Sequence, residues 1–351
     1  MPHQPPPPTA LTGLTPEEIA ATLGLPLMRG RQMFHWLHKK RVFDLEAMTN
    51  MPKSLREKPP MESSLTALTV VERHESSISG TVKLLFQLED GEVIESVLLR
   101  HGDRVTFCLS SQVGCALNCS FCATGLVGFR RQLSTAEIVE QALRLAQEAE
   151  LADSVTPNIV YMGMGEPFQN YEAVIHSVHL LMRKDGMGVG ARKITLSTVG
   201  DVPGIQRFAQ EPWQVRLSVS LHAADDALRD QLAPINRRYP LAALRDALKA
   251  YQRHSGRQIT IEWTLLRKIN DGPDQANALA EFLKGLDAVV NLIPWNPVES
   301  LPYKASSPAR AAAFARALES VGVKATIRKE RGDDIEAACG QLRATRLAPT
   351  P

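Results

Sequence analysis

Residues 105–122 read VTFCLSSQVGCALNCSFC, an apolar run followed by three cysteines in the spacing CxxxCxxC. The run Val105–Leu109 has the length and composition of a buried β-strand. Four of the five cysteines fall within the fifteen residues from Cys108 to Cys122, which is unlike a disulfide framework and typical of a metal or redox site. This stretch therefore predicts a reactive loop directly after a strand.

Strand-like and helical segments alternate along the chain after this stretch. A capping box, Ser134-Thr-Ala-Glu137, begins one helical segment, and a helix at Pro308–Val321 precedes a last strand at Val323–Arg328. The main predicted strands are Val105–Leu109, Asn158–Met162, Lys193–Ser197, Val215–Leu221, Ile259–Leu266 and Ala288–Ile293. Six βα units in a row predict an α/β fold with a parallel sheet, either a full or partial TIM-type barrel or a doubly wound sheet. Both architectures bind ligands at the carboxyl ends of the strands.

The first hundred residues have a different pattern. The prolines Pro5–Pro8 predict an extended tail, and Thr15-Pro16-Glu17-Glu18 predicts the start of a helical module. Two β-type runs, Thr81–Phe86 and Val93–Leu99, flank Asp90-Gly91, which is a hairpin signal. We therefore expect a tail over residues 1–10, an accessory domain over 11–100, a large domain over 101–330 and a mobile C-terminal segment over 331–351.

Positive charge is concentrated in the N-terminal region. The whole chain has 40 Lys and Arg against 38 Asp and Glu, a formal net charge of +2. Between Arg29 and Lys58, eight basic residues face three acidic ones. This surplus is typical either of a solvated helix face or of a module that contacts nucleic-acid phosphates. Smaller candidates for phosphate contacts, each also explained by solvation, are Arg130-Arg131, Arg192-Lys193 and Arg237-Arg238.

Composition excludes several classes of protein. With 44% hydrophobic and 22% charged residues, the chain has an ordinary globular balance, so intrinsic disorder is excluded. No run approaches ~18 uninterrupted apolar residues, which excludes a membrane-spanning helix. The first nine residues have neither a basic n-region nor an apolar h-region, so we expect a reducing, cytoplasmic setting.

The cysteine spacing alone leaves three kinds of metal site open. Three thiolates on a four-iron cluster would leave one iron free for an exogenous ligand, which would make the cluster a catalyst. Cys108 could instead supply the fourth ligand of a zinc site, or of a ferredoxin-type cluster that only carries electrons.

Motifs along the rest of the chain narrow these alternatives. They are, in chain order, SSQVGC (110–115), GMGEP (163–167), LSTVG (196–200), SVSLH (218–222), PIN (234–236), NLIPWNP (291–297) and RGDDIEAACGQ (331–341). Together with CxxxCxxC they resemble the RlmN family of the radical S-adenosylmethionine (SAM) superfamily, in register from about residue 12 to 343. The resemblance implies a partial (β/α)6 TIM-type radical SAM barrel with a small N-terminal helical and β accessory domain that binds RNA. It also implies methylation of adenine C2 in 23S rRNA and tRNA.

The same resemblance implies a set of cofactor-binding residues. Cys115, Cys119 and Cys122 would bind a [4Fe–4S] cluster whose fourth iron holds SAM. Gly163 and Gly165 would let the backbone approach the methionine part of SAM. The remaining SAM-contacting positions are Glu166, which would accept hydrogen bonds from the SAM ammonium, and Ser197, Ser220, Leu221, His222 and Asn296.

The resemblance also assigns three catalytic residues. Carbon 2 of adenine is electron-poor and does not attack a SAM methyl group, so the family uses two SAM molecules per turnover. One methylates Cys339, and the other yields a 5′-deoxyadenosyl radical that takes a hydrogen from the new methyl group, whose methylene radical adds to the ring. Glu95 would then remove the ring proton, and Cys108 would attack the sulfur of Cys339 in a transient disulfide, releasing methylated RNA.

Taken without the resemblance, two of these residues have simpler interpretations. Cys339 is alone in its segment, as an inert buried thiol would be, and Glu95 lies in a charged stretch that favours a solvated carboxylate. The basic neighbours of Cys339, which are Arg328, Lys329 and Arg331, favour a thiolate.

Partners and rival functions complete the expectations. The resemblance implies an external electron donor such as flavodoxin or ferredoxin, and we expect a monomer. A methyltransferase of the Cfr type, which modifies adenine C8 with the same cysteines, is the nearest alternative, because Val199 and residues 123–125 match that pattern better. An iron–sulfur protein that binds RNA without catalysis is an alternative of a different class, but it would need neither Cys108 nor Cys339.

Overall fold

The computed structural model describes residues 10–57, 64–328 and 331–342. The predicted proline-rich tail at residues 1–9 lies outside these ranges, as do Lys58, Lys329 and residues 343–351. The helices are α1 Pro16–Thr22, α2 Leu27–Phe34, α3 Lys53–Glu57, α4 Ala123–Val127, α5 Thr135–Glu148, α6 Tyr171–Met182, α7 Val202–Phe208, α8 Asp226–Leu232, α9 Leu241–Ser255, α10 Pro273–Leu283 and α11 Pro308–Ser320.

Ten of the twelve strands form one sheet. The strands are β1 Leu68–Glu75, β2 Val82–Leu88, β3 Val93–His101, β4 Arg104–Cys108, β5 Gln112–Val113, β6 Arg131–Gln132, β7 Asn158–Tyr161, β8 Ile194–Thr198, β9 Arg216–Ser220, β10 Ile259–Leu265, β11 Ala288–Pro294 and β12 Lys324–Ile327. The order in the large sheet is β1-β2-β3-β4-β7-β8-β9-β10-β11-β12, and β5 and β6 form a separate ribbon.

The parallel part of the sheet confirms the predicted α/β fold. Strands β4 and β7 to β12 are parallel and follow one another in chain order, with helices between most of them. Strand β12, which is the predicted last strand, is also parallel to its neighbour, so the sheet contains the six parallel strands of the expected (β/α)6 barrel and one more. Among the described residues β1 and β12 end the strand order without pairing with each other, so the barrel is partial, as predicted.

The predicted accessory β element is continuous with the barrel. Strands β1 to β3 are antiparallel and extend the large sheet from the edge of β4. His101 pairs with Arg104 across a two-residue turn, so the expected boundary at residue 100 falls inside a β-hairpin. A tight hairpin adds a strand to an existing sheet edge with few loop residues, whereas a separate domain would need its own core. The core of the helical module, around Phe34, is likewise continuous with the core of the barrel.

Most basic residues of the N-terminal module make contacts within the protein. Lys40 and Arg41 pair with Asp153 at 2.6 and 2.8 Å, and the ammonium of Lys39 donates to the Asp153 carbonyl oxygen. The remaining contacts of this kind are Arg29 with Gln32 and Asn50, Arg56 with Met51 and Glu46, and Lys53 with Glu57. The positive surplus therefore fastens the module to the barrel as well as facing solvent.

Helix α5 positions the strand that leads to the cysteines. It begins with the predicted capping box, since the Ser134 hydroxyl accepts from the Glu137 amide and the Glu137 carboxylate accepts from the Ser134 amide. One turn further, the buried Gln141 amide oxygen accepts from the Ser96 hydroxyl at 2.6 Å and from the Ser110 amide at 2.7 Å. The backbone after β4 is thereby fixed before it enters residues 114–122, here called the cysteine loop. No helix in the described part of the chain is long and apolar enough to cross a membrane.

Candidate active site

The carboxyl ends of the parallel strands surround a cavity of about 960 Å³, counting its open mouth. The cysteine loop after β4 forms one side of it, and residues at the ends of β7, β8 and β9 form others. The expected site residues that line this cavity are Cys115, Cys119, Cys122, Gly163, Gly165, Glu166, Ser197, Ser220, His222 and Cys339. Residues predicted from separate motifs are thus brought together where a parallel sheet binds its ligands.

The cysteine loop is held by two other segments. The indole nitrogen of Trp295 donates to the Phe121 carbonyl oxygen at 3.0 Å. The hydroxyl of Tyr303 donates to the Ser120 hydroxyl at 2.7 Å, and the Ser120 amide donates to the Leu232 carbonyl oxygen. Because both sides of the loop are bonded to the barrel, the cysteines have a defined place before any metal binds.

The three thiols fit the expected iron–sulfur cluster. Burial raises the pKa of Cys115 to about 12, and it raises the pKa of Cys119 and of Cys122 as well, so thiolates here require a strong cation such as a metal centre. Among residues 10–57, 64–328 and 331–342, no three His, Cys, Asp or Glu side chains converge as the ligands of a single ion would. A cluster binds each thiolate through a different iron, so thiols spread along one loop suit it.

The glycines of the GMGE motif permit close packing on the cysteine segment. A Cβ atom at Gly163 would lie 2.7 Å from the Ser110 hydroxyl oxygen. One at Gly165, whose φ is +103°, would lie 2.6 Å from the Gln112 Cβ. Both glycines thus let the loop after β7 contact the segment that precedes the cysteines. Both also line the cavity, so the expected approach of their backbone to SAM stays a prediction.

Glu166 is a buried carboxylate at the cavity wall. Its Oε2 accepts from the Val199 amide at 2.9 Å, and its Oε1 accepts from the Phe168 amide at 3.2 Å. Burial nevertheless raises the pKa of Glu166 to about 7. A cationic group bound in the cavity would favour the ionised form, which is what an ammonium-binding carboxylate requires.

The other expected SAM-contacting residues separate into two groups. Ser197, Ser220 and His222 line the cavity, whereas the Leu221 side chain is buried in the core and only its backbone is close to them. The ring of His222 accepts at Nδ1 from the Thr264 amide at 3.0 Å, and burial lowers its pKa to about 3. His222 is therefore neutral, with its proton on Nε2.

Asn296 lies at a second cavity, which adjoins the first. This cavity measures about 650 Å³ and is lined by Asn296, Cys108, Cys339 and Arg328, among others. The Asn296 amide donates to the Cys339 carbonyl oxygen at 3.2 Å, and its buried Oδ1 has no hydrogen-bond partner among the described residues. Asn296 thus contacts the segment of Cys339 rather than the wall of the first cavity.

Cys108 and Cys339 meet in the second cavity, although 231 residues separate them. Burial, and then the neighbouring Cys339, raise the pKa of Cys108 to about 12. The Arg328 guanidinium lies 3.6 Å from the Cys339 sulfur, and this neighbour raises the pKa of Arg328. Cys339 lines both cavities, so its sulfur can face either the cofactor side or Cys108.

Residues 331–342, here called the Cys339 segment, are held by both halves of the protein. Arg331 donates to the Arg100 carbonyl oxygen at 2.7 Å, on β3. At the other end, the Gly340 carbonyl oxygen accepts from the Ala123 amide at 2.7 Å, directly after Cys122. The predicted mobile loop is therefore docked between the antiparallel strands and the cysteine loop.

Glu95 is buried in the sheet, which differs from the solvated carboxylate that its local sequence favours. It lies on β3, two residues before Val97, and Val97 pairs with Cys108 on β4. Side chains two residues apart on a strand share a face, so Glu95 and Cys108 are on the same side of the sheet. The Lys83 ammonium lies 3.1 Å from its Oε1.

Sequence reasoning did not identify two further charged residues of the site. Arg229 on α8 is fully buried and donates to the carbonyl oxygens of Leu221 and Val199, and burial lowers its pKa to about 10. Glu262 on β10 lines the first cavity, with its Oε1 bonded to Ser218 and Asn291. Arg229 also donates to the Asn236 amide oxygen at 2.9 Å, which links it to the PIN motif (234–236).

Comparison with known proteins places two family models on the chain. A model of the radical SAM superfamily matches residues 109–282, and a model of the ribosomal RNA large subunit methyltransferase N-terminal domain matches residues 11–62. The first covers the cysteine loop and the strands up to α10, and the second covers the helical module.

Similar proteins match nearly the whole chain. A probable dual-specificity RNA methyltransferase RlmN of Moorella thermoacetica is 47% identical over 343 residues, covering 95% of this chain and 96% of the relative. The Thermotoga maritima protein of the same name is 45% identical, covering 96% of this chain and 98% of the relative. The crystal structure of a radical SAM methyltransferase from Sphaerobacter thermophilus superposes with a TM-score of 0.93 at 47% identity, covering 96% of this chain and 100% of that one.

Proposed function

Because the chain belongs to the RlmN family of radical SAM RNA methyltransferases, we propose that it methylates carbon 2 of an adenosine in 23S rRNA and in tRNA, through a transient adduct with Cys339. The observation that carries the proposal is the meeting of Cys108 and Cys339 in one cavity that adjoins the cysteine loop. A thiol that carries a methyl group and the thiol that later releases the product must lie side by side, and the free thiols of Cys108 and Cys339 do so.

Cofactor binding would fall to the first cavity. Cys115, Cys119 and Cys122 would hold a [4Fe–4S] cluster, and Glu166 would receive the SAM ammonium. When bound, the cluster and SAM would supply the methyl group, the electron that generates the radical and the radical that activates the methyl group, and the cluster would accept the electron that the adduct must lose. Ser197, Ser220, the Leu221 backbone and the neutral His222 would orient SAM by hydrogen bonds and contact.

The transfer itself would use the second cavity. Cys339 would accept a methyl group from one SAM molecule, carry it toward the adenine and remain bonded to the base. A second SAM molecule would supply the radical, so two are consumed per turnover. Glu95, on the same face of the sheet as Cys108, would accept the ring proton. Cys108 would then lose its proton and attack the Cys339 sulfur, so that a disulfide forms and the sulfur–carbon bond breaks. The product carbon would keep the electron pair of that bond and take up a proton to become a methyl group. Arg328 would stabilise the thiolate forms of both cysteines, and a cellular thiol must then reduce the disulfide.

The setting and partners form part of the proposal. The substrates would be 23S rRNA and tRNA, and the reductant of the cluster would be an external donor such as flavodoxin or ferredoxin. We propose that the protein is a monomer. We also propose that it lies in the cytoplasm, because the thiols of the site require a reducing compartment.

Product analysis tests the position of methylation. RNA modified by the anaerobically purified protein should give 2-methyladenosine after nuclease digestion. The purified protein itself should contain about four iron and four sulfide per chain. Formation of 8-methyladenosine would instead assign the chain to the Cfr-type reaction, and stoichiometric zinc in place of iron would exclude the mechanism.

A second experiment tests the roles of the two thiols. The Cys108→Ala variant should accumulate RNA bonded to the protein, because the step that releases the product is missing. The matched variant Cys108→Ala/Cys339→Ala should show no bonded RNA. Release of methylated RNA by Cys108→Ala at the normal rate would contradict the resolving role.

A further inference from the structure

We propose that Lys83 is a positioning residue for the reaction, because it joins the Glu95 carboxylate to the Cys339 segment. The inference rests on the proposed function, in which Glu95 and Cys339 act on the same base. Nothing in the motif pattern singles out Lys83, which lies on β2 among apolar residues.

The side chain of Lys83 bridges two parts of the site. Its ammonium lies 3.1 Å from Glu95 Oε1 and donates to the Glu336 carbonyl oxygen at 3.3 Å. Glu336 is three residues before Cys339, so one ammonium contacts both the strand of the proposed base and the segment of the proposed methyl carrier.

The strand register places Lys83 in the same row as Cys108. Lys83 pairs with Val97 on β3, and Val97 pairs with Cys108 on β4. Directly paired residues share a face of the sheet, so Lys83, Glu95 and Cys108 all face the Cys339 segment. The bridge is therefore built on rigid strands, whereas the segment it holds has only the short 3₁₀ turn Asp333–Ile335.

Burial indicates that this lysine serves a purpose other than solubility. The Lys83 side chain is 8% exposed and that of Glu95 is 6% exposed. A long lysine side chain ordinarily keeps its ammonium in water, and a well-packed apolar pair is often as stable as a buried ion pair. A buried ion pair of this kind is better explained by the fixed geometry that it imposes.

The geometry matters because two groups must reach one adenine. Other contacts hold the two ends of the segment, at Arg331 and at Cys339 and Gly340. Lys83 holds its middle and relates it to Glu95. Loss of the Lys83 contact would let the sulfur of Cys339 shift relative to the carboxylate, and displacements of this kind slow reactions strongly.

Backbone hydrogen exchange tests the attachment without RNA or SAM. In the Lys83→Met variant, the amides of residues 331–342 should exchange about tenfold faster or more, with the amides of α9 unchanged. Lys83→Arg should restore most of the protection, since it keeps a donor and a charge. The control Lys284→Met removes an exposed lysine paired with Glu281 and should leave the segment unaffected. Unchanged exchange in Lys83→Met would overturn the proposal, whatever product the enzyme makes.

Kinetics tests the consequence for the reaction. Lys83→Met should lower kcat by about 10- to 100-fold with little change in KM for RNA, because the substrate still binds but the reacting groups are misplaced. Lys83→Arg should recover part of kcat. The double variant Lys83→Met/Glu95→Gln should be no slower than the slower single variant, since the two residues act as a unit. Additive losses would show that Lys83 does not act through Glu95 and would overturn the role.

Discussion

Gly165 lies at a position where the backbone conformation and the packing both exclude a side chain. Its φ is +103°, and a Cβ atom would lie 2.6 Å from the Gln112 Cβ, so any side chain would strain the backbone and overlap the residues that precede the cysteine loop. We expect Gly165→Ala to destabilise the fold by about 1–3 kcal/mol through backbone strain alone. Urea denaturation measures this. The control Gly190→Ala, at φ −64° with nothing within 4 Å of its Cβ, should change stability little, and an equal loss in both variants would contradict the packing argument.

His38 makes the folding stability of the protein depend on pH in the acidic range. It is fully buried in the helical module, where its ring stacks on Phe34 with 3.9 Å between centroids, and burial lowers its pKa from 6.5 to about 3. The unfolded chain therefore binds a proton below pH 6.5 that the folded chain does not, so stability falls as pH decreases from 6.5 to about 3.

The His38→Gln variant should remove this dependence. The slope of unfolding free energy against pH in that range should decrease by about 1.4 kcal/mol per pH unit, which is the contribution of one proton. Urea titrations at several pH values measure the slope. The same slope in both proteins would mean that His38 is protonated in the fold.

Most of the proposed site residues stand in short sequence motifs, whereas residues defined by long-range contacts give no such signal. The three cysteines of the CxxxCxxC motif could be recognised because their spacing is short. Glu95 was interpretable only through the resemblance, because its surroundings depend on strand pairing with β2 and on the Cys339 segment, which lies far from it in the chain. Lys83 gives no local signal, since a lysine in a strand is ordinarily a surface residue.

At the scale of elements, we expect the capping box of α5 to contribute more to the free energy of unfolding than the capping box of α1. Ser134→Ala removes the hydroxyl that accepts from the Glu137 amide, whereas the backbone amide that donates to the Glu137 carboxylate remains, so we expect a cost of about 1 kcal/mol. The same loss at Thr15, which caps the short helix α1 in the same way, should destabilise less, because the first turn of α5 is buried and that of α1 is partly exposed. Midpoints of urea unfolding compare the two variants, and a larger effect at Thr15 would contradict the argument.

Elements with strong periodicity were predicted well, and those without it were not. The parallel strands lie within a few residues of their predicted bounds, because each is an apolar run between two turns. Strand β1 escaped prediction, since all but one of its residues are at least partly exposed and its pattern does not alternate. The Cys339 segment was expected to be mobile because it contains glycines and acidic residues. In the structure it is held through the carbonyl oxygens of Glu336 and Gly340, and backbone contacts of this kind leave no signal in the sequence.

At the scale of the whole molecule, the distribution of free positive charge should determine binding to RNA. Arg130 is exposed on the loop between α4 and β6, beside the cysteine loop, whereas Lys40 is paired with Asp153 at 2.6 Å. We expect Arg130→Gln to weaken RNA binding and to reduce the slope of log affinity against log salt by about one, as the loss of one phosphate contact does. Lys40→Gln should leave that slope unchanged. Affinities measured between low and moderate salt test both, and a reduced slope in Lys40→Gln would mean that the module binds phosphate directly.

The division of the chain into parts was predictable in outline only. Composition indicated a helical, basic beginning and a βα series, and the structure contains both. It did not indicate that β1 to β3 extend the same sheet, because sheet continuity depends on pairing between strands rather than on the content of either part. Nor did it indicate that the basic residues near Lys40 bind Asp153, over 100 residues away.

The attachment of the Cys339 segment also sets the order in which the enzyme becomes competent during its synthesis. Its contacts join Lys83 to Glu336 and Arg100 to Arg331, pairs that are 253 and 231 residues apart. Chains are made and fold from the N-terminus, so the strands and the cysteine loop can form before the Cys339 segment has been translated. A nascent chain interrupted after β12 would carry the cysteine loop but no Cys339. The proposed methyl-carrying thiol is thus translated later than all the strands that the structure describes.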